Sequence, residues 1–203
     1  NLHQLSLIID TIRSNFKIAD SPELTVELNP EDCTSEYLAQ LFIIGINRLS
    51  IGNQSFNDDI LRYLNRRHNA SSSANAVKRS IDAGFVNISC DLIYGIPNQT
   101  LADFEKDLNM ITEFGVLHLS AYHLTIEPST YFGKLLKSGK FSEIEEDLSE
   151  GFYNLLVNWS YKHSFEHYEV SNFARVGFYS KHNMNYWFGV PYLGLGPSAH
   201  SFD

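Results

Sequence analysis

The chain has 203 residues, of which 43% are hydrophobic and 13% aromatic, so it can bury a substantial core in one globular domain or a domain with an extension. Its formal net charge of −9, with only Arg66-Arg67-His68 locally basic, argues against nucleic acid or an anionic membrane as partner, since both require clustered Lys and Arg. The 2 cysteines, Cys33 and Cys90, are too few for a disulfide framework and form no C-x-x-C pattern, so we expect a reducing, cytoplasmic location.

The first predicted element is an amphipathic helix over residues 5–16, where polar and charged side chains interrupt the apolar ones. No apolar stretch is long enough for a signal peptide or a membrane span. A helix without a preceding strand is an unusual start for an α/β domain. We therefore expect that residues precede Asn1 and that the chain is truncated at its N-terminus.

Strands and helices then alternate along the chain. The pattern predicts strands over 24–28, 47–51, 86–93 and 117–126, and helices over 34–45, 58–65, 71–83 and 100–114. Strands separated by helices imply right-handed crossovers and a parallel sheet. A barrel or partial barrel fits better than a dinucleotide-binding fold, because no G-x-G-x-x-G motif follows any of these strands.

The pattern changes after Pro128. It predicts a short helix and loop over 131–139, a long helix over 143–163 and a strand over 167–172. The stretch 178–202 is rich in Gly, Asn, Tyr and His without periodicity, which predicts irregular structure covering a surface or site. We therefore divide the chain into a partial barrel over residues 1–130 and an appended α+β region over residues 131–203.

Four polar residues are candidates for a binding site. Glu27, Gln54 and Asp91 lie in or just after successive parallel strands, and Arg66 lies in the segment after the second of them. Carboxylate and amide groups suit ribose hydroxyls or an amino group, while a guanidinium suits a carboxylate. A ligand with nucleoside and amino-acid halves would satisfy the set. Alternatively, the two acids cap helices, Gln54 bonds its own loop and Arg66 pairs with a neighbouring acid.

A family resemblance favours the first interpretation. Four motifs occur in order along the chain: E-L-N-P over 27–30, G-I-N-R-L-S-I-G-N-Q-S-F-N over 45–57, D-L-I-Y-G-I-P over 91–97 and S-A-Y-H-L-T-I-E-P over 120–128. Together they resemble the radical S-adenosylmethionine family that includes oxygen-independent coproporphyrinogen III dehydrogenase (HemN) and the haem chaperone HemW.

The resemblance implies a partial TIM-like (β/α)6 radical-SAM barrel with an α+β extension. It also implies that S-adenosylmethionine is bound at the carboxyl ends of the strands, with Ile93 and Thr125 near the adenosine. The family's cofactor site matches four positions of this chain, Glu27, Gln54, Arg66 and Asp91.

The last part of the chain is similar to the chaperone branch, through H-N-M-N-Y-W over 182–187 and Y-L-G-L-G-P-S-A-H-S over 192–201. This similarity implies haem as a ligand, with His182 or His200 as a candidate ligand of the iron, since neutral imidazole is a common axial donor. Alternatively, each histidine hydrogen-bonds to backbone in an aromatic loop.

The chain departs from the family at the metal centre. The family's [4Fe–4S] cluster requires a C-x-x-x-C-x-x-C loop, and neither this loop nor the glycine-rich loop expected after the second barrel strand occurs here. We therefore expect the cluster only in the intact protein, no catalytic residue and no cluster ligand in this chain, and no cleavage of S-adenosylmethionine by it alone. Cys33 and Cys90 are better interpreted as core residues.

Three functions stay open at this point. The first is a haem chaperone that passes haem to acceptor proteins, and the second is an enzyme that oxidatively decarboxylates coproporphyrinogen III. The third is an inert piece of a barrel. An incomplete barrel exposes apolar strand edges, so we also expect self-association.

Overall fold

A computed structural model describes residues 2–139 and 141–203 of the chain. Within them a six-stranded sheet has the order β1-β2-β3-β4-β6-β5. The elements in chain order are α1 Leu2–Asn15, β1 Thr25–Leu28, a 3-10 helix Pro30–Asp32, α2 Ser35–Ile43, β2 Arg48–Gln54, α3 Asp58–Tyr63, α4 Ala70–Asp82, β3 Asn87–Tyr94, α5 Leu101–Glu113, β4 His118–His123, α6 Tyr131–Lys137, α7 Glu146–Lys162, β5 Glu166–His167, β6 Asn172–Ala174 and α8 Lys181–Trp187.

Capping side chains mark the starts of several helices, and a glycine marks the end of α2. Thr34 and Asn69 each accept a hydrogen bond from a backbone N–H in the first turn of the following helix. Thr100 and Asp103 form a reciprocal capping box at the start of α5. Gly45 follows α2 at φ +94°, a conformation that favours glycine. These signals explain why the predicted helices lie within a few residues of the observed ones.

The first four strands are parallel neighbours, as predicted, and give the sheet two different faces. Successive residues of a strand point to opposite faces. The face bearing Leu49, Ile51, Cys90 and Leu119 is fully buried. The opposite face carries polar side chains, and in the register Glu27 pairs with Ser50, Ser50 with Ser89, and Asp91 with Ser120.

Three elements of the second half differ from the prediction. The strand predicted over 117–126 ends at His123, and residues 124–127 lead without regular structure into a turn at Pro128, where Thr130 N–H bonds to Glu127 O at 3.0 Å. Of the strand predicted over 167–172, only the two end residues lie in strands. Residues 168–171 form the turn of the β5–β6 hairpin, where Glu169 accepts a bond from Ser171 N–H at 3.1 Å.

The third difference is α8, which lies in the stretch predicted to be irregular. Ser180 provides its cap, accepting a hydrogen bond from Asn183 N–H at 3.3 Å. Seven residues are too few for a clear helical period, so the sequence pattern does not reveal this helix.

The second part of the chain shares the sheet and the core of the first. Strand β6 runs antiparallel to β4, and its Phe173 is fully buried and stacked on His167 with ring centroids 4.2 Å apart. Phe152 of α7 packs edge-on against Phe104 of α5 at 5.8 Å. The domain boundary at residue 130 and the self-association stay predictions. Among the described helices, none has the length and apolar character needed to cross a bilayer.

Phe173→Ala tests whether the hairpin is part of the same cooperative unit. Removing a fully buried phenylalanine leaves a cavity in the hydrophobic core, so we expect a loss of about 3–5 kcal/mol in the free energy of unfolding. Urea denaturation followed by circular dichroism should still show one transition. Val170→Ala in the hairpin turn, where the side chain is 68% exposed, should change stability by no more than about 0.5 kcal/mol. Separate transitions for hairpin and barrel would contradict the shared core.

Candidate functional site

Asp91 lies in the middle of β3 on the polar face of the sheet. Ser50 Oγ is 3.0 Å from both of its carboxylate oxygens, and Ser89 Oγ is 3.2 Å from Oδ1. Burial raises the pKa of Asp91 to about 6; hydrogen bonds from Ser120, Ser50 and Ser89 oppose the rise, and the charge of Glu27 adds to it. Asp91 is thus a carboxylate held in place by serines and poised to accept further donors.

Gln54 is the last residue of β2 and adopts an unusual backbone conformation. Its φ is +63°, and the pairing of β2 with β3 shifts by one residue between Ile51 and Gln54. A Cβ added to Gly52 would lie 2.9 Å from Gln54 Nε2 and 3.4 Å from Arg66 Nη2. The side chains of Gln54 and Arg66 therefore converge above Gly52, which has no side chain to separate them.

A buried carboxylate on α5 holds the loop that follows Gln54. Asp107 is 2% exposed, accepts a hydrogen bond from Ser55 Oγ at 2.6 Å and another from Phe56 N–H at 2.7 Å. Burial raises the pKa of Asp107 to about 6, and these bonds oppose the rise. Asp107 therefore fixes the turn that directs Gln54 towards Arg66.

Arg66 has an unsatisfied donor. Its Nε is buried and has no hydrogen-bond partner among the described residues. Nearby, His68 is held between Glu31 Oε2 at 3.2 Å and the backbone oxygen of Asn53 at 3.1 Å, which fixes the segment that carries Arg66. A guanidinium with a free donor suits a carboxylate ligand.

The structure brings the four predicted residues to the polar face of three adjacent strands. Gln54 ends β2, Asp91 lies in the middle of β3, and Arg66 reaches Gly52 from the segment after α3. Glu27 is exposed on β1, level with Ser50 on β2, and its charge acts on Asp91. The alternative in which Glu27 and Asp91 cap the following helices is not observed, because Thr34 and Thr100 cap α2 and α5.

Sequence reasoning missed Gly52, Ser50, Ser89 and Asp107 as parts of this arrangement. The alternation of small polar and apolar residues in β2 and β3 carried a signal for the serines. Asp107 had only the weak signal of an acidic residue among the apolar positions of α5.

A chain of hydrogen bonds connects this face with the start of α8. Ser89 Oγ lies 2.8 Å from His118 Nδ1, and His118 Nε2 lies 2.7 Å from the Tyr168 hydroxyl, which accepts a bond from Ser180 N–H at 3.2 Å. Burial lowers the pKa of His118 to about 3, and the charge of Arg48 adds to the effect, so its imidazole is neutral.

The two candidate haem ligands lie at the ends of a row of rings. His182 contacts Tyr186 at 4.7 Å between centroids, Tyr186 contacts Tyr192 at 4.7 Å, and Tyr192 contacts His200 at 5.8 Å. Both histidines are exposed, but His182 is on a helix whose first N–H groups bond to Glu23, at 3.1 Å for Lys181 and 3.4 Å for His182.

The cysteines do not fit an iron–sulfur cluster. Cys33 and Cys90 are buried, and burial raises the pKa of the Cys33 thiol to about 12 and that of Cys90 well above its usual value. The chain has no third cysteine. In residues 2–139 and 141–203, no group of three or more His, Cys, Asp or Glu is arranged to hold a metal ion.

Comparison with known proteins gives a consistent picture. The Radical SAM superfamily profile matches residues 5–111. The chain is 36% identical over 200 residues to the heme chaperone HemW of Bacillus subtilis, covering 98% of this chain and 53% of that protein. It is 33% identical to the Escherichia coli heme chaperone HemW, covering 97% of this chain and 51% of that protein. The chain thus spans about half the length of the curated relatives that it matches.

The solved structures agree on the fold. Coproporphyrinogen III oxidase (HemN) from Escherichia coli, described as a Radical SAM enzyme, superposes with a TM-score of 0.79 at 23% identity, over 100% of this chain and 49% of that one. The archaeal Elp3 of Methanocaldococcus infernus superposes with a TM-score of 0.58 at 22% identity, over 66% of this chain and 32% of that one. The predicted α/β fold class, a partial TIM-like barrel with an α+β extension, is confirmed.

Asp91→Asn tests the electrostatic cost of the site. Because the pKa of Asp91 is raised from 3.8 to about 6, the folded state binds the proton more tightly, and the free energy of unfolding falls as pH rises between these values. We expect the variant to be more stable than the wild type at pH 7.5 by about 1–3 kcal/mol, with the difference vanishing near pH 4.

The matched control is Asp20→Asn, which changes an exposed aspartate in a loop. Its stability difference from the wild type should stay within about 0.5 kcal/mol at both pH values. Equal pH dependence of the Asp91 and Asp20 variants in urea denaturation would show that Asp91 carries no such cost.

Proposed function

The chain belongs to the radical S-adenosylmethionine superfamily, and on that premise we propose that it binds S-adenosylmethionine on the polar face of its sheet and acts as a haem chaperone of the HemW kind. The observation that carries the chaperone proposal is the position of His182. It is exposed on α8, beside a surface of exposed aromatic rings. The start of this helix is connected to the polar face of the sheet by the hydrogen bond from Ser180 N–H to the Tyr168 hydroxyl.

The residues of the polar face fit the two halves of S-adenosylmethionine. We assign Asp91 and Gln54 to the ribose hydroxyls, Arg66 to the methionine carboxylate and Glu27 to the amino group. The free Nε of Arg66 supports its assignment, since a buried donor without a partner is costly. The convergence of Gln54 Nε2 and Arg66 Nη2 above Gly52 supports the placement of the ligand against these two side chains.

No reaction step is assigned to these residues. Cleavage of the cofactor in this family depends on a [4Fe–4S] cluster, and this chain has no cysteine set that fits one. The residues present bind and orient the cofactor, and the buried Asp91 and its serines exclude water from one side of it.

The surface around α8 suits a large flat apolar ligand. Trp187 is 59% exposed and Phe188 is 71% exposed, and Leu193, Leu195 and Phe202 are exposed nearby in the sequence. Large exposed apolar residues of this kind mark a binding surface. An imidazole at the edge of that surface can ligate the haem iron, and an open site suits transfer to an acceptor protein. Because Cys33 and Cys90 are free, we place this function in the cytoplasm.

Haem titration of the full-length gene product tests the proposal, with absorbance in the Soret region as the measurement. We expect stoichiometric binding by the wild type and at least a tenfold weaker affinity for His182→Ala, because the iron loses its protein ligand. His200→Ala is the matched control, since it removes an exposed histidine at the other end of the same row of rings.

Two results would contradict the chaperone proposal. One is equal haem affinity in the wild type and the His182 variant. The other is no haem binding together with conversion of coproporphyrinogen III and consumption of S-adenosylmethionine, which would favour the enzymatic alternative.

A further inference from the structure

Arg48 is a buried arginine with an unsatisfied donor. It is the first residue of β2, it is 4% exposed, and its Nε has no hydrogen-bond partner among the described residues. None of the ion pairs formed among the described residues includes Arg48. A buried guanidinium N–H without a hydrogen-bond partner is costly, so a partner from outside these residues is expected.

Arg48 lines a cavity between the sheet and α8. The cavity has a volume of about 300 Å³. This is the low end of the ~300–1,000 Å³ range for pockets of drug-sized ligands, so it suits an arm of a ligand better than a whole macrocycle. Its lining residues come from the segment before β1, β1, β2 and α8, and they are Glu23, Thr25, Glu27, Arg48, Ser180, His182 and Asn183.

The charges around the cavity have both signs, and the negative ones have other partners. Glu23 accepts hydrogen bonds from the first two N–H groups of α8. Glu27 lines the cavity two residues further along β1 than the residue level with Arg48, and the proposed function assigns it to the amino group of S-adenosylmethionine. Arg48 forms none of the ion pairs found among the described residues, and a planar guanidinium prefers a carboxylate.

The carboxylate of S-adenosylmethionine is not the partner of Arg48. Arg66 converges with Gln54 at the carboxyl end of β2, whereas Arg48 is at its amino end. Gln54 is six positions after Arg48 in β2, a distance of about 20 Å at ~3.3 Å per residue. The two arginines therefore serve two different anionic groups.

We propose that Arg48 binds a propionate side chain of the haem whose iron His182 ligates. This inference rests on the proposed function, because it takes haem as the ligand. His182 and Arg48 line the same cavity, so a macrocycle at the His182 rim can place one carboxylate arm in the cavity. Asn183, also on the wall, offers an amide donor to the same group.

Haem and haem dimethyl ester distinguish this contact from the rest of the binding site. Both have the iron and the ring, but the ester has no charged propionate. In the full-length gene product, we expect the wild type to bind haem about 10- to 100-fold tighter than the ester, as one lost charge-assisted contact predicts. Arg48→Met should weaken haem binding to the level of the ester and leave ester affinity and the Soret maximum unchanged.

Arg48→Lys keeps the charge but loses the paired donors, so we expect an intermediate preference for haem. Circular dichroism checks folding, and Arg48→Met should fold normally because it removes an unpaired buried charge and keeps a similar length.

The outcomes separate the two proposals. Equal affinity of the wild type for haem and ester, or equal weakening of both by Arg48→Met, would overturn the role of Arg48 and leave haem binding in place. Absence of haem binding to the wild type would overturn the proposed function, and this inference with it.

Discussion

The site depends on the parallel pairing of β2 with β3. This pairing sets Ser50 level with Ser89, which puts hydroxyl groups on both sides of the Asp91 carboxylate. Because strand residues alternate between faces, the same register directs Leu49, Ile51 and Cys90 into the core under the helices. A slip of one residue would exchange the two faces and lose both the core and the site. The irregularity after Ile51 then turns Gln54 towards Arg66.

Unsatisfied groups on the polar face lower the stability of the fold, and a ligand that pairs with them would offset this loss. Burial raises the pKa of Asp91, and Arg48 and Arg66 each have a buried Nε without a partner among the described residues. Such groups reduce stability when they are left unsatisfied. Their grouping on one face of the sheet and beside α8 is the pattern expected of a binding surface, since a structural core would pair them or replace them with apolar residues.

Sequence reasoning predicted the parts that depend on local pattern. The four parallel strands and their helices follow from alternation and capping signals. Position along the chain also singled out Glu27, Gln54, Arg66 and Asp91, and the resemblance supported that choice. The β5–β6 hairpin was not predictable, because Glu169 makes its turn and β4 provides its pairing partner.

The residues that fix the site come from distant parts of the chain. Asp107 holds the loop after Gln54 from α5, and Tyr168 holds Ser180 from beyond β4. The hydrophobic periodicity of the sequence does not predict such contacts, because they form only when the tertiary structure brings distant elements together. Gly52 is similar, since its importance lies in the side chains that approach it.

The most direct test of this account is a crystal structure of the full-length gene product with S-adenosylmethionine. The account predicts the ribose hydroxyls within hydrogen-bond distance of Asp91 and Gln54, and the methionine carboxylate on Arg66 above Gly52. Cofactor bound away from β2 and β3, with Gln54 and Arg66 making no contact to it, would contradict the central claim.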